Sequence, residues 1–145
     1  MSKSNLELKD FKIQSTFKVR WSDHDAYNHV NNVVYLKWSE TARIDFMEAA
    51  GFDFMKISKS EFYPILASQE IKYFKSVIYP DTITIGCRIG EDIGEDYFYN
   101  ECHFFSEKHN AKVAISKHKI MLLDVKKHQK IKLPANFLET IKEFI

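Results

Sequence analysis

Residues 31–50 contain neither glycine nor proline, and Gly51 follows them. Such a run, closed by a residue suited to a left-handed cap, reads as a helix of several turns. Its faces constrain the fold more than anything else in the chain. At about 100° per residue, Val34, Tyr35, Trp38, Ala42, Phe46 and Ala49 form one apolar stripe. Val33, Leu36, Ile44 and Met47 form a second stripe nearly opposite. A helix apolar on two sides has to be covered on two sides. Glu40 falls inside the second stripe, an unusual place for a carboxylate.

The remaining sequence reads as a sheet able to supply one of those covers. Before the helix, Phe11, Ile13, Phe17, Val19 and Trp21 alternate with polar residues, a first strand facing core on one side and water on the other. The short polar residues 22–28 then make a turn. After the helix, residues 52–61 are expected to form a short helical turn or loop. Ile65, Ala67, Ile71 and Tyr73 give a second strand, with Gln69 at the same inward parity. Alternation predicts a third strand over 82–89, a fourth over 97–106 and a fifth over 112–125, with a basic turn over 126–132. Pro134 then opens a short helix. Segregated helix and strands argue an α+β domain over 1–145: one five-stranded antiparallel sheet wrapped around a long central helix, with a short C-terminal helix. The second stripe of the helix calls for another subunit. The outward residues of the fourth strand (Tyr97, Tyr99, His103 and Phe105) are too apolar for a solvated face. Either a further interface or the terminal helix is expected to cover them.

A chain of 145 residues, 45% hydrophobic and 28% charged, has the size and balance of one globular domain. A net charge of +1 gives no global electrostatic case for a nucleic-acid partner. No apolar run approaches the length of a membrane span. Residues 1–14 lack the apolar core of a signal peptide, so the expected location is cytoplasmic. Cys87 and Cys102 make no disulfide framework. If the hairpin turns on Gly94 and Glu95 they oppose each other, and they are expected to pack as reduced thiols. His24-Asp25 follows a strand, unlike the pair in helical metal phosphohydrolases. No spacing fits a zinc site, a phosphate loop or a G-x-S-x-G elbow.

Residues 19–43 carry the strongest signal. Val19-Arg20, Asp23, Asp25, Asn28-His29-Val30-Asn31-Asn32, Tyr35-Leu36, Trp38, Glu40 and Ala42-Arg43 stand in one register. This pattern resembles the opening of the 4-hydroxybenzoyl-CoA thioesterase family, V-R-x-x-D-x-D-x-x-G-H-V-N-N-x-x-Y-L-x-W-x-E-x-A-R, which has the hotdog fold. Weaker likeness continues through residues 71–85 and 119–125. One departure stands out: Asn28 occupies the position of the family's glycine. Asn is the least costly substitute if that position needs positive φ.

The resemblance implies an acyl-CoA thioesterase, cleaving an acyl- or aryl-CoA thioester to CoA and a carboxylic acid without metal or organic cofactor. It implies Asp25 as nucleophile or general base, and a backbone N–H at the helix start, best placed at Asn32, as oxyanion donor. Glu40 is the rival carboxylate. Structural readings stand beside these: Asp25 capping the loop, and Glu40 paired with Arg43 one turn away. His29, Asn31, Tyr35, Gln69 and Lys75 are candidate substrate contacts. Lys75 is the first choice for CoA phosphates among Lys72, Lys75, Arg88, Lys117 and Lys119. Gln69 reads equally as a satisfied core amide, and Asp23 as structural. The expected assembly is a homodimer, with a homotetramer allowed. An acyl-carrier-protein thioesterase and a non-catalytic acyl-thioester-binding hotdog protein remain alternatives.

Overall fold

The computed structural model describes residues 5–52 and 61–145. Strand β1 (Ile13–Lys18) leads through a 3-10 turn at Trp21–Asp23 into helix α1 (Asn32–Ala49). Strands β2 (Phe62–Tyr73), β3 (Thr82–Ile89), β4 (Tyr97–Ser106), β5 (Ala111–Asp124) and β6 (Lys130–Ile131) follow, then helix α2 (Ala135–Lys142). All pairings are antiparallel, in the order β1-β3-β4-β5-β2 with β6 beside β5. The expected five strands are present, and a sixth sits inside the stretch read as a basic turn. Its two residues, Lys130 and Ile131, pair with Leu123 and Leu122. A strand that short leaves no periodicity to detect. The expected turn over 52–61 falls mostly outside the described residues.

Helix α1 ends as its sequence dictates. Gly51 adopts φ +103, its N–H donates to the Glu48 carbonyl, and the Phe52 N–H reaches the Met47 carbonyl. This is a Schellman closure, which needs a left-handed residue at the glycine position. The first stripe of α1 packs on β1, β3 and β4: Tyr35, Trp38, Ala42 and Phe46 are buried with Ile83, Ile85, Phe98 and Phe104. Each of the large aliphatic and phenylalanine side chains among these contributes about 1.5–3 kcal/mol of burial. Helix α2 extends this inner layer, setting Phe137 against Phe98 and Phe62. Along the second stripe Met47 is buried and Leu36 half-buried, whereas Val33 is 54% and Ile44 37% exposed among the described residues.

Two features of the sheet differ from expectation. A register shift between Leu66 and Ser68 reverses the parity of β2. Gln69, Ile71 and Tyr73 therefore share the helix side with Leu66 and Pro64, and Ile65 does not. The outer face of β4 is covered by the N-terminal segment rather than by α2. Phe11 packs at 4.8 Å from the His103 ring and 6.0 Å from Phe105. Gly86 makes room for it: a Cβ there would stand 2.4 Å from Phe11 Cγ.

Beneath Phe11 lies a buried polar set. Glu101 Oε1 accepts from Arg88 at 2.9 Å and meets His103 Nε2 at 3.2 Å. Arg88 is thereby spent on Glu101 and is withdrawn from the candidate phosphate contacts. Burial pushes the His103 imidazole below its ordinary value, against the opposing pull of Glu101. Burial would raise the Glu101 carboxyl, but His103 and Arg88 outweigh it and hold it low. The unfolded chain therefore takes up a proton on His103 first, near pH ~6.5. Below that pH the unfolded state binds more protons than the folded one, so stability falls with acidification. Glu101 acts in the same direction at lower pH. Urea midpoints should drop between about pH 7.5 and pH 5.5, and His103→Gln should flatten the upper part of that drop.

Candidate active site

The loop between β1 and α1 is pinned from several sides. Asp23 is buried, and its carboxylate accepts from the Arg20 N–H at 2.8 Å and pairs with the Arg20 guanidinium. Its carbonyl receives the Asn31 N–H. Asp23 is thus structural. His24 and Val30 form an isolated antiparallel bridge. His24 Nε2 accepts from the Tyr79 N–H at 2.8 Å, and the Val30 N–H donates to the Val77 carbonyl. The loop is therefore stitched to the segment that follows β2. His24 escaped the sequence reading because its partner lies fifty-five residues away.

Inside this frame, Asp25 Oδ1 accepts from the Tyr27 N–H at 2.8 Å and from the His29 N–H at 3.5 Å. Asn28 holds φ +62, the left-handed geometry that Gly or Asn tolerates best. The capping reading of Asp25 is therefore realised on one oxygen. Its other oxygen, Oδ2, has no hydrogen-bond partner among the described residues.

Asn31 is the N-cap of α1, with Oδ1 accepting from the Val33 N–H at 3.0 Å. The Val34 N–H returns to the Asn31 carbonyl. Between them the Asn32 N–H has no partner among the described residues. It stands at the positive end of a helix of 18 residues. Beside it is an open hollow of about 310 Å³ lined by His29, Asn32, Tyr35, Tyr73, Lys75 and Val77, among others. Tyr35 and Tyr73 stand edge to face at 5.0 Å. Burial, with Tyr73 adding to it, pushes the Tyr35 hydroxyl up to about 12. It stays protonated and offers a neutral polar wall.

The structure thus gathers His29, Asn32, Tyr35 and Lys75 around one hollow and sets Asn31 as the cap beside it. The other candidates lie apart. Among the described residues, no carboxylate lines the hollow. Glu40 is exposed on the second stripe of α1, and no ion pair joins it to Arg43 among the described residues. Among the described residues Gln69 makes no hydrogen bond to Glu40 or the loop; its Oε1 takes the Nδ1 side of buried His118 at 3.2 Å. Cys87 and Cys102 face each other across β3 and β4 as free thiols, with sulfurs 3.5 Å apart. No described helix is long and apolar enough to cross a membrane.

A single antiparallel sheet wrapped around one long helix, with an anion-ready helix start at its edge, is the hotdog architecture. The chain belongs to the thioesterase-like superfamily, whose signature matches residues 19–141. Solved structures share the fold. A probable thioesterase from Escherichia coli superposes with a TM-score of 0.79 at 23% identity, over 92% of this chain and 98% of that one. A DHNA-CoA thioesterase from Staphylococcus aureus gives 0.78 at 17% identity, over 90% and 89%. A hypothetical Staphylococcus aureus protein in complex with CoA gives 0.81 at 14% identity, over 91% and 82%. No curated protein sequence matches the chain.

Proposed function

We propose that this protein is an acyl-CoA thioesterase whose hydrolytic site assembles between two copies of the chain. The unpartnered N–H of Asn32, a residue that lines one hollow with His29, Tyr35 and Lys75, carries the reading. Thioester hydrolysis develops negative charge on the carbonyl oxygen. A fixed backbone donor at a helix N-terminus stabilises that charge without reorganising. Lys75 at the same hollow offers a point charge to a phosphate or pyrophosphate of the CoA arm. The structural likeness to a CoA complex and to a DHNA-CoA thioesterase supports CoA as the carrier.

Hydrolysis also requires a nucleophile or a base to activate water, and no carboxylate lines the hollow among the described residues. The exposed Val33 and Ile44 on the second stripe, flanking half-buried Leu36, offer a face for cover. One arrangement meets both needs: a second copy packs on that stripe and brings its own carboxylate to the hollow. Asp25, held rigidly by its loop with one oxygen free, is the residue for that role. Glu40, lying on the stripe itself, is the rival.

The purified protein should release free CoA thiol from a series of acyl- and aryl-CoA thioesters, followed with a thiol reagent. Binding without release from any member would make it a non-catalytic acyl-thioester-binding protein instead. Light scattering should give at least twice the chain mass. Ile44→Glu should shift the protein to monomer and lower activity by about tenfold or more, since a charge in an apolar contact is left unpaired.

A further inference from the structure

We propose that Cys87 and Cys102 are a redox modification site, at which hydrogen peroxide joins the two sulfurs in a reversible disulfide between β3 and β4. They are the only cysteines of the chain. Both are buried, and they stand opposite each other in the register of the two strands. Their sulfurs are 3.5 Å apart, and Cys87 Sγ lies 3.7 Å from the Ala42 carbonyl of α1. The thioesterase reading gives this pair no part, so the proposal stands or falls apart from it.

The hydrogen-bond pattern of the hairpin shows that the backbone accepts the bond. The Glu107 N–H donates to the Thr82 carbonyl at 3.0 Å, and the Gly90 N–H to the Tyr99 carbonyl at 2.8 Å. The register between them is unbroken. Hydrogen-bonded pairs alternate with non-hydrogen-bonded ones in an antiparallel ladder. Cys87 lies an odd number of residues from both Thr82 and Gly90, so Cys87 and Cys102 form a non-hydrogen-bonded pair. Such pairs hold their Cα atoms about 4.5 Å apart, with the side chains close together. Disulfides span Cα separations of about 4.4–6.8 Å. The sulfurs therefore need to close by only roughly 1.5 Å to reach bonding distance, a movement of side chains rather than strands. The spacing sits at the short end of the range, which favours a bond that reductants can open.

The surroundings divide the labour between the two thiols. Burial would raise the Cys102 thiol, but Cys87, His118 and Arg43 outweigh it and hold it low. The hydrogen bond with Cys102, together with burial, pushes the Cys87 thiol up. Cys102 is thus the attacking thiolate and Cys87 the resolving thiol. The Cys102 sulfur attacks one peroxide oxygen and the O–O bond breaks. The departing hydroxide takes up the proton that the thiol released, leaving a sulfenic acid and one water. The Cys87 sulfur then attacks the Cys102 sulfur, the S–O bond breaks and the S–S bond forms. Hydroxide leaves with the Cys87 proton as a second water, so one peroxide is reduced as two thiols are oxidised. Cys87 is 4% and Cys102 0% exposed, which restricts the oxidant to a molecule little larger than water. Oxidised glutathione is excluded by its size.

The test treats the native, reduced protein with hydrogen peroxide, then unfolds it in guanidinium with iodoacetamide and digests it with trypsin. Cleavage after Lys75, Arg88 and Lys108 places Cys87 in peptide 76–88 and Cys102 in peptide 89–108. The two peptides should appear joined, lighter than their sum by two hydrogens, and dithiothreitol should separate them. Both cysteines alkylated after peroxide, a sulfinic acid on Cys102, or a bond between two chains on a non-reducing gel overturns the proposal. Oxidised glutathione should leave both thiols free; linkage as fast as with peroxide overturns the buried-pair mechanism. The bond closes a hairpin of about fifteen residues, so Tm should rise by about 5 °C and return on reduction. A lower Tm in the linked form means that the native hairpin rejects the bond, which also overturns it. In Cys87→Ser, dimedone should trap a sulfenic acid on Cys102, whereas Cys102→Ser should leave Cys87 unlabelled; the reverse pattern overturns the assigned roles. If either variant fails to fold, the wild-type peptides still decide.

Discussion

Asn32→Pro is expected to lower kcat by about 10²–10³, the usual effect of deleting one oxyanion donor, while the protein stays folded. Few backbone donors can be removed so cleanly. Asn32 is the first residue of α1, where proline is well tolerated because that N–H bonds nothing within the helix. The preceding residue must be extended, and Asn31 already has φ −65 and ψ 141. The Asn31 cap to the Val33 N–H is untouched. Circular dichroism and the melting transition should match the parent closely. The control is Asn32→Ala, which keeps the N–H and removes the side chain; it should retain most of kcat. Equal losses in both variants would move the role from the amide to the Asn32 side chain. Full activity in the proline variant would remove this helix start from the chemistry.

Local periodicity made most of the fold legible. The run without glycine or proline predicted α1 to within a residue at each end, and alternation placed β3 and β4 at their observed bounds. The opposition of Cys87 and Cys102 followed from the hairpin. What escaped depended on distant partners or on a single inserted residue. The shift at Leu66/Ser68 changes which β2 residues face the helix without altering composition. Phe11 looks like one more strand residue, yet it folds over Gly86 and His103 to cover the outer sheet. Lys130 and Ile131 pair because β5 is long enough to reach them.

The site was legible in the same graded way. Residues adjacent in sequence, Asn31 and Asn32, took the places their types suggest, a side-chain cap and a free N–H. Tyr35 and Lys75 met across the hollow because α1 crosses the end of β2, a tertiary fact that the resemblance supplied and periodicity did not. The buried, unpartnered Arg43 Nε and Asn100 Oδ1 were beyond reach, because sequence cannot show an unmade bond. On the proposed assembly the carboxylate is the same kind of gap, since a group brought by a second copy would leave no contact inside one chain.

Asp25→Asn should lower kcat by about 10²–10⁴, the range lost when a positioned acid–base group is removed. This substitution separates the two roles that Asp25 combines. Oδ1 accepts two loop N–H groups, from Tyr27 and His29, and an asparagine oxygen accepts them equally well. The loop should therefore keep its shape, with stability unchanged within about 0.5 kcal/mol. Asp25→Ala, by contrast, also deletes the cap and should cost about 1 kcal/mol in addition to the activity, by analogy with lost helix caps. Similar kcat losses in the two variants, with a lower melting point only in Asp25→Ala, assign catalysis to the carboxylate and folding to the hydrogen bonds. If Asp25→Asn keeps full activity while Glu40→Gln loses it, the exposed carboxylate on the second stripe of α1 takes the role. Mixing the inactive Asp25→Asn and Asn32→Pro variants adds the decisive measurement. If one copy brings the carboxylate to the other's amide, a mixed dimer contains one site with both groups intact, and about half of its sites recover. If both groups act within one chain, no mixed dimer has a complete site and the mixture stays inactive.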